Sequence, residues 1–126
     1  MKTMSSSYRR QKVLLLAVSL LCFAPFLRAE KMPPLWGYGV KTCADYLAVA
    51  QGREGGADAQ ISEYRRFEDW LTGFVSGLNL ATGQDVLKGA DVDAAMRRIG
   101  AHCGGHPKQD FFTATMDLVR MLSGLR

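Results

Sequence analysis

Four residues combine types and spacing that could do chemistry: Cys43, Cys103, His102 and His106. Imidazole and thiolate are good zinc ligands, and His102, Cys103 and His106 fall within five consecutive residues. Two features argue against a metal site. Gly104 and Gly105 break the helical spacing that would bring the imidazoles to one side, and the sulfur of Cys103 is better accounted for as the partner of Cys43. His102 then reads as a cation at a helix end, where the carbonyl dipole favours it, and His106 as a cap before Pro107. Glu68 and Asp69 are adjacent, so on a helix they diverge and cannot form the facing carboxylate pair of glycoside hydrolysis. No G-x-S-x-G, C-x-x-C-H or phosphate-cradling glycine loop occurs. The sequence therefore predicts no catalytic residue, no metal and no cofactor, and the activity to expect is binding.

The pairing of the two cysteines follows from the first twenty-nine residues. Lys2, Arg9, Arg10 and Lys12 precede an apolar run from Val13 to Phe26, and Ala29 gives a peptidase a small residue to cut behind. About fourteen apolar residues, broken by Pro25, fall short of the roughly twenty that span a bilayer. Residues 1–29 thus read as a cleaved secretory signal peptide, and residues 30–126 as a single helical domain that is periplasmic or secreted and free of the membrane after cleavage. Leu21 before Cys22 is too large for lipoprotein processing. Cys22 leaves with the leader, so only Cys43 and Cys103 remain in an oxidising compartment, and they allow one pairing. Closing a loop of that length is worth about 4 kcal/mol in the chain-entropy model, a large share of the roughly 5–10 kcal/mol that holds a small domain.

Trimming also removes the apparent basicity. Five of the 16 Lys and Arg residues precede Glu30, which leaves 11 bases against 12 acids. Nucleic-acid binding needs a basic surplus gathered on one face, and none remains. Arg65-Arg66 and Arg97-Arg98 read as solvated helix faces.

The elements that must position these residues are helical. Pro33, Pro34, Gly37 and Gly39 resist both helix and central strand, so Lys31 to Val40 is expected to be an extended N-terminal arm whose Trp36 and Tyr38 cover an apolar groove. Thr42, with Asp45 three residues on, predicts the start of a helix that runs to about Gln51. From Ala59 to Leu78, Tyr64, Phe67, Trp70, Leu71, Phe74, Val75 and Leu78 recur at the intervals of one buried face. Gly73 and Gly77 lie one turn apart there and would admit a second backbone. Ala81 to Ala90 is rich in turn residues. Asp91 caps a third helix, which Gly104-Gly105 stop, and Pro107 opens a fourth that runs to Gly124. The prediction is an all-α fold, a small four-helix bundle with an extended N-terminal arm, clamped by one disulfide.

Two short strings carry a family resemblance. Thr42-Cys43-Ala44-Asp45-Tyr46-Leu47 resembles the opening of the HdeA/HdeB family of periplasmic acid-stress chaperones, and Cys103-Gly104-Gly105-His106-Pro107 is similar to the run at that family's second cysteine. The resemblance implies a helical fold with one disulfide, a homodimeric resting state, and denatured proteins as partners. A second resemblance competes. Trp70-Leu71-Thr72-Gly73-Phe74-Val75-Ser76-Gly77 with His106-Pro107 is similar to Tai-type immunity proteins, which inhibit secreted cell-wall amidases; that mechanism asks for a protruding rigid loop, here Ala81 to Asp91. Composition permits the acid mechanism: by about pH 2–3 most of the 12 carboxylates are protonated, and self-repulsion loosens the bundle. The faces then offered to other proteins would include Trp36, Tyr38, Phe67, Trp70, Phe74, Phe111 and Phe112.

Overall fold

Thr42 starts the first helix by a reciprocal pair of bonds. Its hydroxyl accepts from the Asp45 amide at 3.1 Å, and the Asp45 carboxylate accepts from the Thr42 amide at 3.0 Å. This capping box satisfies amides that an isolated helix leaves without partners, and α1 follows over Cys43–Glu54. In the computed structural model, which describes residues 33–125, three more helices follow: α2 over Asp58–Thr82, α3 over Val92–Gly105 and α4 over Phe111–Ser123. The chain from Pro34 onward forms one compact unit. The expected signal peptide and its cleavage point lie outside the described residues. Among those residues there is no strand, only an isolated antiparallel bridge between Thr42 and Asp110. An all-α bundle of four helices with a Cys43–Cys103 disulfide is what the structure contains.

Helix α2 is the longest element, 25 residues or roughly 38 Å at the α-helical rise. Tyr64, Phe67, Leu71 and Val75 form its buried stripe, the spacing that puts apolar side chains on one face. Gly83 ends the helix in the left-handed region at φ 68°, with its amide bonded to the Asn79 carbonyl. The segment after it is pinned rather than loose: Asn79 Oδ1 accepts from the Val86 amide at 2.9 Å, and the Asp85 carboxylate accepts from the amides of Leu87 and Gly89. Val86 and Leu87 are thereby driven into the core. In α3, capped by Asp91, the residues Ala95, Met96, Ile99 and Cys103 face inward as expected.

Three expectations need correction. The N-terminal arm is not extended throughout, because Gly37–Val40 forms a turn of 3-10 helix that Gly37 enters at φ 71°. Helix α4 begins at Phe111, capped by Asp110, and not at Pro107. The carbonyls that a helix from Pro107 would consume are used elsewhere: Pro107 O accepts from the Ala44 amide at 3.0 Å and Gln109 O from the Cys43 amide at 2.7 Å. They serve α1, whose first amides lack intrahelical acceptors. Finally, no second backbone approaches the Gly73 and Gly77 pair, since a Cβ built on either meets nothing within 4 Å.

The core is aromatic. Phe67 and Phe111 are fully buried with ring centroids 5.0 Å apart, and Tyr46 lies 5.3 Å from the first and 5.0 Å from the second. Pairs at these separations and tilts gain beyond simple burial. The Tyr46 hydroxyl donates to the Met96 carbonyl at 2.9 Å, tying α1 to α3. Burial, with the neighbouring Tyr64 adding to it, pushes that hydroxyl's pKa far upward, so it stays a donor. Among the described residues no buried side-chain polar atom lacks a partner.

Candidate functional site

The two cysteines meet as the sequence predicts. Cys43, first residue of α1, and Cys103, three residues before the α3 cap at His106, are bonded with Cα atoms 5.0 Å apart, and both are fully buried. The Thr42–Asp110 bridge flanks them, with the Phe111 amide donating to the Lys41 carbonyl at 2.8 Å. Disulfide, bridge and amide bonds thus join the starts of α1 and α4 to the end of α3. The sulfurs are spent on structure and are closed to solvent, which removes Cys103 as a ligand or nucleophile.

The histidines lie beside this joint and carry no third ligand. Their rings stack, with centroids 4.2 Å apart and planes within 10°. His106 Nδ1 lies 2.9 Å from the His102 carbonyl, and His102 Nε2 lies 2.7 Å from Gln109 Oε1. Gln109 in turn donates from Nε2 to Asp117 at 3.0 Å, so its amide oxygen faces His102 and makes Nε2 of that ring the donor. Parallel rings cannot both aim a nitrogen in-plane at one ion. Among the described residues no group of three His, Cys, Asp or Glu is placed to hold a metal.

Of the seven aromatic residues named as a protein-binding face, six come together and one stands apart. Phe67 and Phe111 are in the deep core. Tyr38, Trp70, Phe74 and Phe112 are half-buried around them: Tyr38 against Phe67 at 4.9 Å, Trp70 stacked on Phe74 at 5.1 Å, and Phe74 edge-on to Phe112 at 5.4 Å. The Tyr38 hydroxyl donates to Glu63 at 2.8 Å and fixes the turn to α2. Trp36 covers no groove. The residue is 79% exposed, and its carbonyl meets the cluster, accepting from Trp70 Nε1 at 3.1 Å. In the folded state, then, the most apolar part of the set is closed to partners, and Trp36 with the edges of the half-buried rings is what solvent sees.

Sequence reasoning missed one aromatic contact and one helix cap. Tyr46 and Tyr64 belong to the aromatic cluster, with centroids 5.9 Å apart; their spacing on separate helices gave no sign that they meet. Asp110 caps α4 by accepting from the Thr113 amide, and an acid directly before the apolar Phe111-Phe112 pair was a signal for it.

The fold and the site define a small all-α domain in which a disulfide ties the start of one helix to the end of another and whose inward face is aromatic. No family model, no curated protein and no solved structure matches the chain. No helix of the described residues is long and apolar enough to cross a membrane.

Proposed function

We propose that the chain is an exported, non-enzymatic protein that acts by binding other proteins, and that acid uncovers its binding faces, as in the HdeA/HdeB family it resembles. One observation carries this reading. Carboxylates hold the start of three of the four helices and the turn between α2 and α3: Asp45 in the capping box of α1, Asp91 on the Ala94 amide, Asp110 on the Thr113 amide, and Asp85 on Leu87 and Gly89. A carboxyl that gains a proton loses the charge that favours it at a helix N-terminus. Asp45 among them is held below the ordinary carboxylate range by its bonds to Thr42, so the start of α1 loses stabilisation as that group protonates in strong acid, while the 11 basic residues of residues 30–126 repel one another. The disulfide keeps residues 43 to 103 tied, so the product is an expanded, compact state that exposes apolar surface rather than an open chain. Phe67, Trp70, Phe74, Phe111 and Phe112 then face denatured clients. The test measures binding of the apolar dye ANS and suppression of aggregation of an unrelated enzyme, at pH 7 and near pH 2.5. Both activities should appear only in acid; equal dye binding at the two pH values, or dye binding without protection of the enzyme, would sink the proposal.

A second reading, inhibition of a secreted effector, draws support from the rigid segment after α2. Its amides are pinned by Asn79 and Asp85, while Gln84, Lys88 and Gly89 remain exposed at the tip. That reading requires one tight partner at neutral pH, lost when the tip residues are replaced.

A further inference from the structure

Between α3 and α4 lies an open groove of about 220 Å3, lined by Arg98 and His102 on one side and by Ala114, Asp117, Leu118 and Met121 on the other. Its floor is apolar, since Ala114 is fully buried and Leu118 nearly so. At its lip Met121 is 71% exposed, and a flexible thioether side chain of this kind adapts to many apolar partners. The polar groups differ in how far they are already satisfied. Asp117 accepts from Gln109 at 3.0 Å and from Arg120 at 3.2 Å, and lies 3.6 Å from His102 Nε2. Arg98, one helical turn before His102, forms no ion pair among the described residues, whereas Arg66, Arg97 and Arg120 each do.

We propose that this groove docks a partner segment in which a large apolar side chain sits next to a carboxylate. The side chain fills the space between Leu118, Met121 and the His102 ring, and the carboxylate pairs with Arg98. Charge selects this occupant: the one acid on the groove already accepts from Gln109 and Arg120, so the uncompensated charge on the rim is positive and a lysine in the same place is repelled. The inference rests on the reading that the protein works by binding proteins. It concerns the folded state at neutral pH, so it can fail while acid activation stands, and the reverse.

The test titrates two blocked hexapeptides, one with a central Leu-Glu pair and one with a central Leu-Lys pair, into the isotope-labelled protein at neutral pH and low salt. The Leu-Glu peptide should shift the amide resonances of Arg98, His102 and Met121 and bind at least about tenfold more tightly than the Leu-Lys peptide. Arg98→Glu should reverse the preference, and Met121→Ala should weaken whichever peptide binds. Equal binding of the two peptides, shifts centred elsewhere, or a preference unchanged in Arg98→Glu would each overturn the proposal. Arg98 and Met121 are both exposed, and the resonance spectrum of each variant reports directly that it is folded.

Discussion

Gly39 occupies a position where no side chain fits. It is buried, and a Cβ built on it would lie 2.7 Å from Cε2 and 2.9 Å from Cη2 of Trp70. The indole cannot easily yield, because Nε1 is bonded to the Trp36 carbonyl and the ring stacks on Phe74. Gly39→Ala should therefore destabilise the protein by roughly 1–3 kcal/mol, the range for an overpacked core, and should alter Trp70 fluorescence. Gly73 and Gly77 make the opposite prediction. Both lie within α2 with open space around them, so Gly73→Ala and Gly77→Ala should each raise stability by up to about 1 kcal/mol through helix propensity alone. Urea unfolding midpoints of the three variants separate a glycine needed for close approach from two that this fold does not need. In sequence all three look alike; only the position of Trp70 tells them apart.

At the scale of the elements, helix starts are where sequence and structure agree best. Thr42 and Asp91 cap α1 and α3 as read from residue type, because N-capping is a local bond between a side chain and an amide two or three residues on. Asp45 adds a pH dependence. Its bonds to the Thr42 hydroxyl and amide, helped by the charge of Lys41, hold its carboxyl below the ordinary 3.8. A carboxyl with a depressed folded-state value stabilises the fold at pH above the unfolded value, and that contribution is lost as pH falls through the folded one. Asp45→Asn should accordingly be less stable than the parent at neutral pH, and the gap should close below pH 3.8; paired thermal melts across that range measure it. The start of α4 was not legible in the same way. Pro107 is a good first helical residue, yet its carbonyl and that of Gln109 are taken by amides of α1 more than sixty residues earlier in the chain. The tuck of Val86 and Leu87 into the core was hidden for a related reason: Asn79 and Asp85 organise that segment through side chains, without a periodic pattern.

For the whole molecule the disulfide dominates. It closes a loop between residues separated by 60 positions, and replacing both cysteines by alanine should lower the unfolding free energy by about 2–5 kcal/mol. Denaturant curves of the double variant and of the reduced parent should agree; a loss under about 1 kcal/mol would mean that the aromatic core and the Thr42–Asp110 bridge suffice alone. The pairing could be read from the cysteine count and the four helices from their apolar spacing and caps, but the contacts between the helices could not. Which rings would meet depended on how α1, α2 and α4 cross, and that is decided by Tyr46, Phe67 and Phe111 packing on one another. The sulfur link has a mechanical consequence too. Tension applied at the two ends would run from Cys43 to Cys103 through the covalent bridge and bypass everything between them, so only residues 34–43 and 103–125 could be drawn out. At the full reach of a peptide chain those stretches span roughly 110 Å, about a third of the contour that the same domain would offer once reduced. In a pulling experiment α1, α2 and all of α3 up to Cys103 would stay slack.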